Sequence, residues 1–352
     1  MTEKRVAKHG PAVTLADVAQ FVGVGAITVS RVVNGSGYVS TEKRKKIEAA
    51  IKKFGYRPNQ AARILKSRKA RMIGLIVPDL SDPFFGMCAA SVEEFAFERG
   101  YMTLIVASQR NAEVEKNEVD MMMSQNISGL LIVPSLPNDR LGVLSATGIP
   151  VVAVDRPLEG MSADEVVVDN YGGARTAVEH LLGHGHRNIA CIGYDKTFYS
   201  IRQRILGYLD VLKAAGLKPD IYDEASTPEM VRKIVQSWSK VKSRPTAVFS
   251  LNNVTTLRFL QSMKDEGLNI PDSIALVGFD DFSLAPLLSP PLTAIRQPAQ
   301  VLGSQAARLL FQRMKNGEGS DQNRVKMALP VELVIRTSCG CEARSNKRHG
   351  SN

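Results

Sequence analysis

The sequence predicts two kinds of fold in one chain: an all-α N-terminal helix-turn-helix domain and an α/β core of two parallel-sheet subdomains. Three observations carry this reading. Charge is unevenly spread: of 45 Lys/Arg and 35 Asp/Glu, residues 1–71 hold 16 and 4, which leaves the remainder nearly balanced. Within that basic segment, apolar residues recur at helical spacing between glycine breaks. From residue 71 onward, short apolar runs alternate with helical stretches, as a parallel sheet covered on both faces requires.

The chain is long enough for several cores. Residues 1–12 are expected to be disordered, 13–58 to form the helical domain, and 59–70 to form a hinge helix and linker. Residues 71–338 make the core, with one subdomain from about 71–169 and 297–329 and the other from 170–296 and 330–338; residues 339–352 are expected to be a flexible tail. No apolar run approaches the roughly 20 residues of a membrane span. The first residues lack the apolar stretch of a secretory signal, and four cysteines suit a reducing compartment, so a cytoplasmic protein with no membrane partner is expected.

In the basic segment, Thr14 with Asp17 three residues on marks a capped helix start, and Leu15, Val18, Ala19 and Val22 give that helix one apolar face. Gly23-Val24-Gly25 breaks it, and Ala26 to Asn34 reads as a second helix ending at Gly35. Ser40 opens a third, with Ile47, Ala50, Ile51 and Phe54 on its apolar face, Gly55 as its stop and Pro58 beyond. Two helices joined by a short glycine-containing turn, with a third across them, is the helix-turn-helix plan. Ala26 and Ile27 suit apolar contact with a thymine methyl. Arg31 suits guanine or phosphate, while Thr28, Ser30 and Asn34 suit phosphate oxygens. A basic excess confined to this segment fits neutralisation of DNA phosphates.

The residues Val13 to Ala19, Thr28 to Gly35, and Gly55-Tyr56-Arg57-Pro58-Asn59 resemble the DNA-binding domain of the LacI/GalR (lactose-repressor-like) family. That resemblance adds Thr14, Tyr38 and Asn59 to the expected DNA contacts. It departs at Gly25, where the family usually has Ser. The run Asn59 to Leu65, followed by Lys66-Ser67-Arg68-Lys69, is similar to the family's hinge helix. The resemblance implies that Leu65 wedges into the minor groove with Ala62 beside it and Lys66 following, and that kinking the duplex is offset by added contacts. The implied partners are a pseudo-palindromic double-stranded operator and a second copy of the chain. No heptad-patterned tail is evident, so a homodimer is the expected assembly.

In the core, strands are predicted at 72–77, 103–107, 129–133, 151–154, 166–168, 188–192, 246–250, 274–278 and 330–335. Ligands bind beyond the carboxyl ends of such strands. That rule selects Asp79, Asp155-Arg156, Asn252-Asn253 and Asp280-Asp281. The resemblance extends to about residue 338, implying a periplasmic-binding-protein-like core with crossovers near 170, 296 and 330. It places Asp155, Arg204, Asn252 and Asp280 at effector-binding positions, with Gln297 at a crossover and Asp79 and Phe84 closing one side. Arg, Asn and Asp are the residue types that bracket vicinal hydroxyls. The implied effector is most commonly a sugar or sugar derivative, with a purine or another small metabolite also open, and the pairing of Arg156 with Arg204 suits a sugar acid or phosphate.

Other constellations carry less. His180, His184 and His186 with Glu179 form the histidine cluster of the chain; His180 and His184 have a spacing that can hold zinc, but Gly185 to Ala190 reads as the turn entering a strand, and the two-cysteine run Cys339-Gly340-Cys341 lacks the second pair of a closed zinc site, so no metal is expected. No phosphate-binding loop, dinucleotide fingerprint or nucleophile elbow appears, which argues against an enzyme and against a cofactor. Trp238 is read as a packing residue. The competing classes, a transport-associated sugar-binding protein and an α/β enzyme, leave the basic N-terminal segment unexplained.

Overall fold

The computed structural model describes residues 13–34, 36–56, 71–135, 144, 147–159, 162–241, 243–316 and 324–341. The chain divides into two units, Met1–Ala70 and Arg71–Asn352. The hinge residues Asn59, Ala62, Leu65 and Lys66 lie outside the described residues.

In the first unit, α1 (Leu15–Val22), α2 (Ala26–Asn34) and α3 (Thr41–Phe54) close around Val18, Ala19, Val29, Val32, Ile47 and Ala50. Local chemistry sets their ends. The Thr14 N–H donates to the Asp17 carboxylate at 2.7 Å, and the Asp17 N–H donates back to Thr14 Oγ1 at 3.3 Å, a reciprocal cap. Gly23 and Gly55 end α1 and α3 in the left-handed region, at φ 71° and 58°.

The second unit is two lobes, each a six-stranded sheet between helices. The strands in chain order are β1 (Met72–Val77), β2 (Met102–Ala107), β3 (Leu130–Ile132), β4 (Val151–Val154), β5 (Asp164–Val168), β6 (Ile189–Ile192), β7 (Asp220–Tyr222), β8 (Ala247–Ser250), β9 (Ala275–Phe279), β10 (Thr293–Arg296), β11 (Lys326–Leu329) and β12 (Glu332–Val334). The helices are α4 (Pro83–Phe97), α5 (Ala112–Ser124), α6 (Asn170–Gly183), α7 (Tyr199–Ala214), α8 (Pro228–Ser239), α9 (Asn253–Asp265) and α10 (Ala299–Asn316). Lobe one has strand order β11-β5-β4-β3-β1-β2, and lobe two β12-β10-β9-β8-β6-β7.

Both faces of each sheet are buried, which is why the strands read as continuous apolar runs. In lobe one, Ile73, Leu75 and Val77 of β1 meet Phe85 and Val92 of α4 and Leu302 and Leu310 of α10. The alternate residue Ile76 faces the other way, toward Val119 and Met122 of α5. In lobe two, α6 and α7 cover one face, and Trp238 of α8 and Phe259 of α9 cover the other. Trp238 is buried and donates its indole N–H to the Tyr222 hydroxyl at 3.1 Å. Among the described residues, no single helix is long and apolar enough to cross a membrane.

Two expectations are corrected. The strand expected at 330–335 is shorter, β12 at Glu332–Val334, and an unexpected strand, β11 at Lys326–Leu329, precedes it. The chain leaves lobe one after β11, which pairs parallel with β5, and enters lobe two as β12, antiparallel to β10. Pro330, which has no N–H to give a ladder, stands at the changeover. The flexible tail does not begin at residue 339. Cys339 is fully buried against the Ala174 and Leu181 side of lobe two, and the Ser338 hydroxyl accepts from Thr293 N at 2.8 Å while donating to Leu276 O at 2.7 Å. Those bonds tie the segment into the sheet's edge.

A helix-turn-helix surface and an inter-lobe cleft

On α2 the apolar spacing that buries Val29 and Val32 turns Ala26, Ile27 and Arg31 to the surface and leaves Thr28 and Ser30 half-buried. Ile27 is 72% exposed and Tyr38 is 89% exposed, which are high values for large apolar bodies that pack on nothing. Asn34 closes α2, and its side chain lies outside the described residues. Thr14 is exposed at the start of α1, where its hydroxyl is also held by Asp17 Oδ2 at 2.7 Å. Gly25 precedes α2 and its carbonyl accepts from Thr28 N at 2.9 Å; a Cβ added there would meet no atom within 4 Å. Lys43, Lys45 and Lys46 stand exposed on the first turns of α3. The unit therefore presents an apolar patch on one short helix together with exposed ammonium groups, of which Lys46 donates to Glu42 at 2.8 Å, the combination that base edges and phosphates call for.

In the second unit, the carboxyl ends of both sheets converge on one cleft. Asp155 follows β4 and Asp280 follows β9, both in the left-handed region at φ 65° and 78°. Non-glycine residues held there store backbone strain, which clusters at ligand sites.

Arg204, projecting from α7, is 3% exposed. Its Nε donates to Asn170 Oδ1 at 2.8 Å, its Nη1 donates to Leu251 O at 2.6 Å, and its guanidinium lies 3.6 Å from the Phe279 ring centre. Asp280 Oδ1 is 3.8 Å from Nη1. Asp280 also accepts from Asn253 N at 3.1 Å and from the Gln297 amide. Burial raises the Asp280 pKa above the usual carboxylate range, against the lowering effect of Arg204.

Across the cleft, Asp82 caps α4 and accepts from Phe84 N at 3.1 Å, and its Oδ1 also accepts from Asn253 Nδ2 at 2.9 Å. Burial first, and the facing Asp280 second, raise its pKa. Arg110 bridges it to the rim, 3.9 Å from Asp82 Oδ2 and donating to Asp79 at 3.1 Å. The Ser81 hydroxyl, which donates to Asp79 at 2.6 Å, is the largest influence lowering the Asp79 pKa. Arg156 is turned inward as well, donating to Asp155 at 3.1 Å and to Pro134 O at 3.1 Å, with its guanidinium 4.9 Å from the Phe198 ring centre.

The structure thus gathers Phe84, Arg204, Asp280 and Gln297 directly, with Asp155 following β4 on the same side. Asn252 caps α9, accepting from Thr255 N at 2.7 Å. Asp79 stays at the rim. A cavity of about 20 Å³ remains between Phe84, Asn253, Asp280 and Gln297, room for about one water. Sequence reasoning missed Asp82 and Asn170. An Asp before Pro83 at a helix start signals the first, and the same strand-end rule applied after β5 finds the second.

A helix-turn-helix unit joined to a two-lobed body with a polar cleft defines the class of DNA-binding transcription regulators that carry a ligand-binding domain. Residues 14–59 match the family model of bacterial regulatory proteins of the lacI family, and residues 178–339 match the periplasmic binding protein-like domain. The HTH-type transcriptional regulator DegA of Bacillus subtilis is 32% identical over 333 residues, covering 92% of this chain and 97% of that protein. The lac repressor dimer bound to operator and the anti-inducer ONPF superposes with a TM-score of 0.83 at 27% identity, covering 94% of this chain and 99% of that one. The transcriptional regulator CelR in complex with cellobiose gives 0.67 at 29% identity, covering 93% and 99%. The chain belongs to the LacI family. It is a DNA-binding transcription regulator and not an enzyme.

Proposed function

We propose that this protein is a cytoplasmic repressor that binds a pseudo-palindromic operator as a homodimer and is controlled by a neutral polyhydroxylated effector, a sugar or sugar derivative, held between the lobes of its core. One observation carries the choice of effector. The buried Asn252 Nδ2 and Gln297 Oε1 have no hydrogen-bond partner among the described residues. One is a donor and the other an acceptor, and a hydroxyl group satisfies both kinds. Leaving such groups unpaired costs about 1–3 kcal/mol each, so a ligand that pairs them is held by them.

The cleft's charges favour a neutral ligand over the sugar acid suggested by Arg156 and Arg204. Both arginines already have carboxylate neighbours at 3.1 Å and 3.8 Å, and Asp82 adds a further carboxyl group. An incoming anion would meet this acidic set and displace existing pairs. The CelR complex with cellobiose, a neutral disaccharide, agrees with this reading. DNA contact is assigned to Ala26, Ile27, Thr28, Ser30, Arg31, Asn34 and Tyr38, with Leu65 and Ala62 in the minor groove and Thr14, Asn59 and Lys66 on the backbone.

Two measurements test this. Calorimetric titration of neutral mono- and disaccharides against their aldonic and uronic acids should show binding confined to neutral forms; binding of the acids alone would overturn the effector class. Gel shift with a palindromic operator library should select a two-fold site, and Leu65→Ala should lower specific affinity by about 1–3 kcal/mol while sparing non-specific binding. An unchanged DNA bend and affinity in that variant would remove the wedge.

A further inference from the structure

The histidine pair and the cysteine pair, each incomplete as a ligand set, meet in the fold. His180 lies on the last turn of α6, and His184 caps that helix one turn later. The C-terminal segment after β12 brings Cys339 and Cys341 against them, although they are 161 residues and 157 residues from His180 and His184 as counted from Cys341. Cys341 Sγ stands 3.0 Å from His184 Nε2 and 3.7 Å from His180 Nε2. One ligand atom from each of the four residues falls within 4.8 Å of all the others. Gly340 makes the two-cysteine turn possible: its φ of 88° is a conformation that side-chain-bearing residues rarely adopt.

We propose that His180, His184, Cys339 and Cys341 form a tetrahedral two-cysteine, two-histidine site for a zinc-class divalent cation. Bonds of about 2.0–2.1 Å to nitrogen and about 2.3 Å to sulfur put tetrahedral ligand atoms about 3.4–3.8 Å apart. The observed spread needs only small side-chain movement to reach that geometry. Two thiolates with two imidazoles select zinc over magnesium or calcium, which prefer oxygen donors. The Thr293 hydroxyl, 3.2 Å from Cys339 Sγ, supplies the outer hydrogen bond that coordinated sulfur normally has. Cys339 is buried while His184 is exposed, so the metal has an entry path from solvent.

The site closes the far end of α6 onto the C-terminal segment. The near end of that helix carries Asn170, which holds Arg204 in the cleft. A metal there would brace lobe two from the side opposite the effector without touching it.

Full-length protein, reduced and stripped with a chelator, is titrated anaerobically with cobalt(II) and then with zinc(II). One cobalt per chain is expected, with thiolate-to-cobalt charge transfer in the near ultraviolet, strong visible bands of tetrahedral geometry, and displacement of both by zinc. His184→Ala and Cys341→Ser are the variants of choice because both side chains reach the surface. Each should weaken cobalt binding by about 100-fold or more and remove the zinc-induced rise in melting temperature. Circular dichroism in chelator checks that both fold. No cobalt spectrum, one without thiolate bands, or affinities unchanged in both folded variants would overturn the assignment.

Discussion

Asn253 joins two carboxyl groups of opposite lobes: its side-chain amide donates to Asp82 Oδ1 at 2.9 Å and its backbone N–H to Asp280 Oδ2 at 3.1 Å. Asp82 belongs to α4 of lobe one and Asp280 follows β9 of lobe two, so a single residue latches the cleft. Asn253→Ala removes the side-chain bond and leaves Asp82 buried with less compensation. A destabilisation of about 1–3 kcal/mol is expected in urea denaturation, together with a larger radius of gyration by solution scattering. Unchanged compactness would mean the latch does not hold the lobes.

The raised pKa values of Asp82 and Asp280 set a pH dependence. A carboxyl group whose pKa is higher in the folded than in the unfolded state holds more protons when folded. Its contribution therefore becomes more favourable as pH falls from neutral through the raised folded value, and levels off below the ordinary carboxylate range. Asp82→Asn keeps an Oδ1 acceptor for Phe84 and Asn253 but cannot titrate. The stability difference between wild type and Asp82→Asn should shift in favour of wild type as pH drops from 7 toward about 4. A constant difference across that window would contradict the assignment.

Arg204 is a buried structural cation. Its bonds to Asn170 and Leu251 and its stacking on Phe279 tie α6, α7 and the strand ends together. Arg204→Met leaves Asp280 short of a positive neighbour and should cost about 3–5 kcal/mol in denaturant unfolding. Arg204→Lys should recover only part of it, because an ammonium group lacks the planar fork. Full stability of the methionine variant would assign Arg204 to ligand contact alone.

Close helix packing rests on Gly207. A Cβ there would fall 2.5 Å from Tyr171 O and 2.9 Å from Ala174 Cβ, so α7 lies against α6 only because that atom is missing. Gly207→Ala is expected to cost about 1–3 kcal/mol by overpacking, read as a lower melting temperature. An unaltered melting temperature would show that the two helices can separate freely.

Gly25 offers the opposite case. Open space surrounds its absent side chain. Gly25→Ser should stabilise the first unit by a few tenths of a kcal/mol through a better α2 cap, measured by thermal unfolding. The same hydroxyl should strengthen operator binding through a phosphate contact; weaker binding would place Gly25 against the DNA too closely for a side chain.

Local signals made the N-terminal unit legible. The Thr14–Asp17 cap, the stops at Gly23 and Gly55 and the apolar spacing of Val18, Val29, Ile47 and Ala50 act within a few residues of chain, so sequence alone determined three helices, their exposed face and, with the charge division, a DNA partner. The core's alternating pattern likewise determined two layered parallel sheets, and the strand-end rule reached Asp155 and Asp280. What only tertiary structure decided are the encounters between distant segments. The bond from Asn253 to Asp82 spans 171 residues, and Arg204 meets Leu251 across 47. Cys339, which reads as the start of a tail, becomes core because β12 crosses into lobe two. The chain changes lobe three times, and no residue's neighbours in sequence record which segments those crossings bring together. For that reason the cleft's polar set was visible in part, while its latch and the joining of His180 and His184 to Cys339 and Cys341 were not.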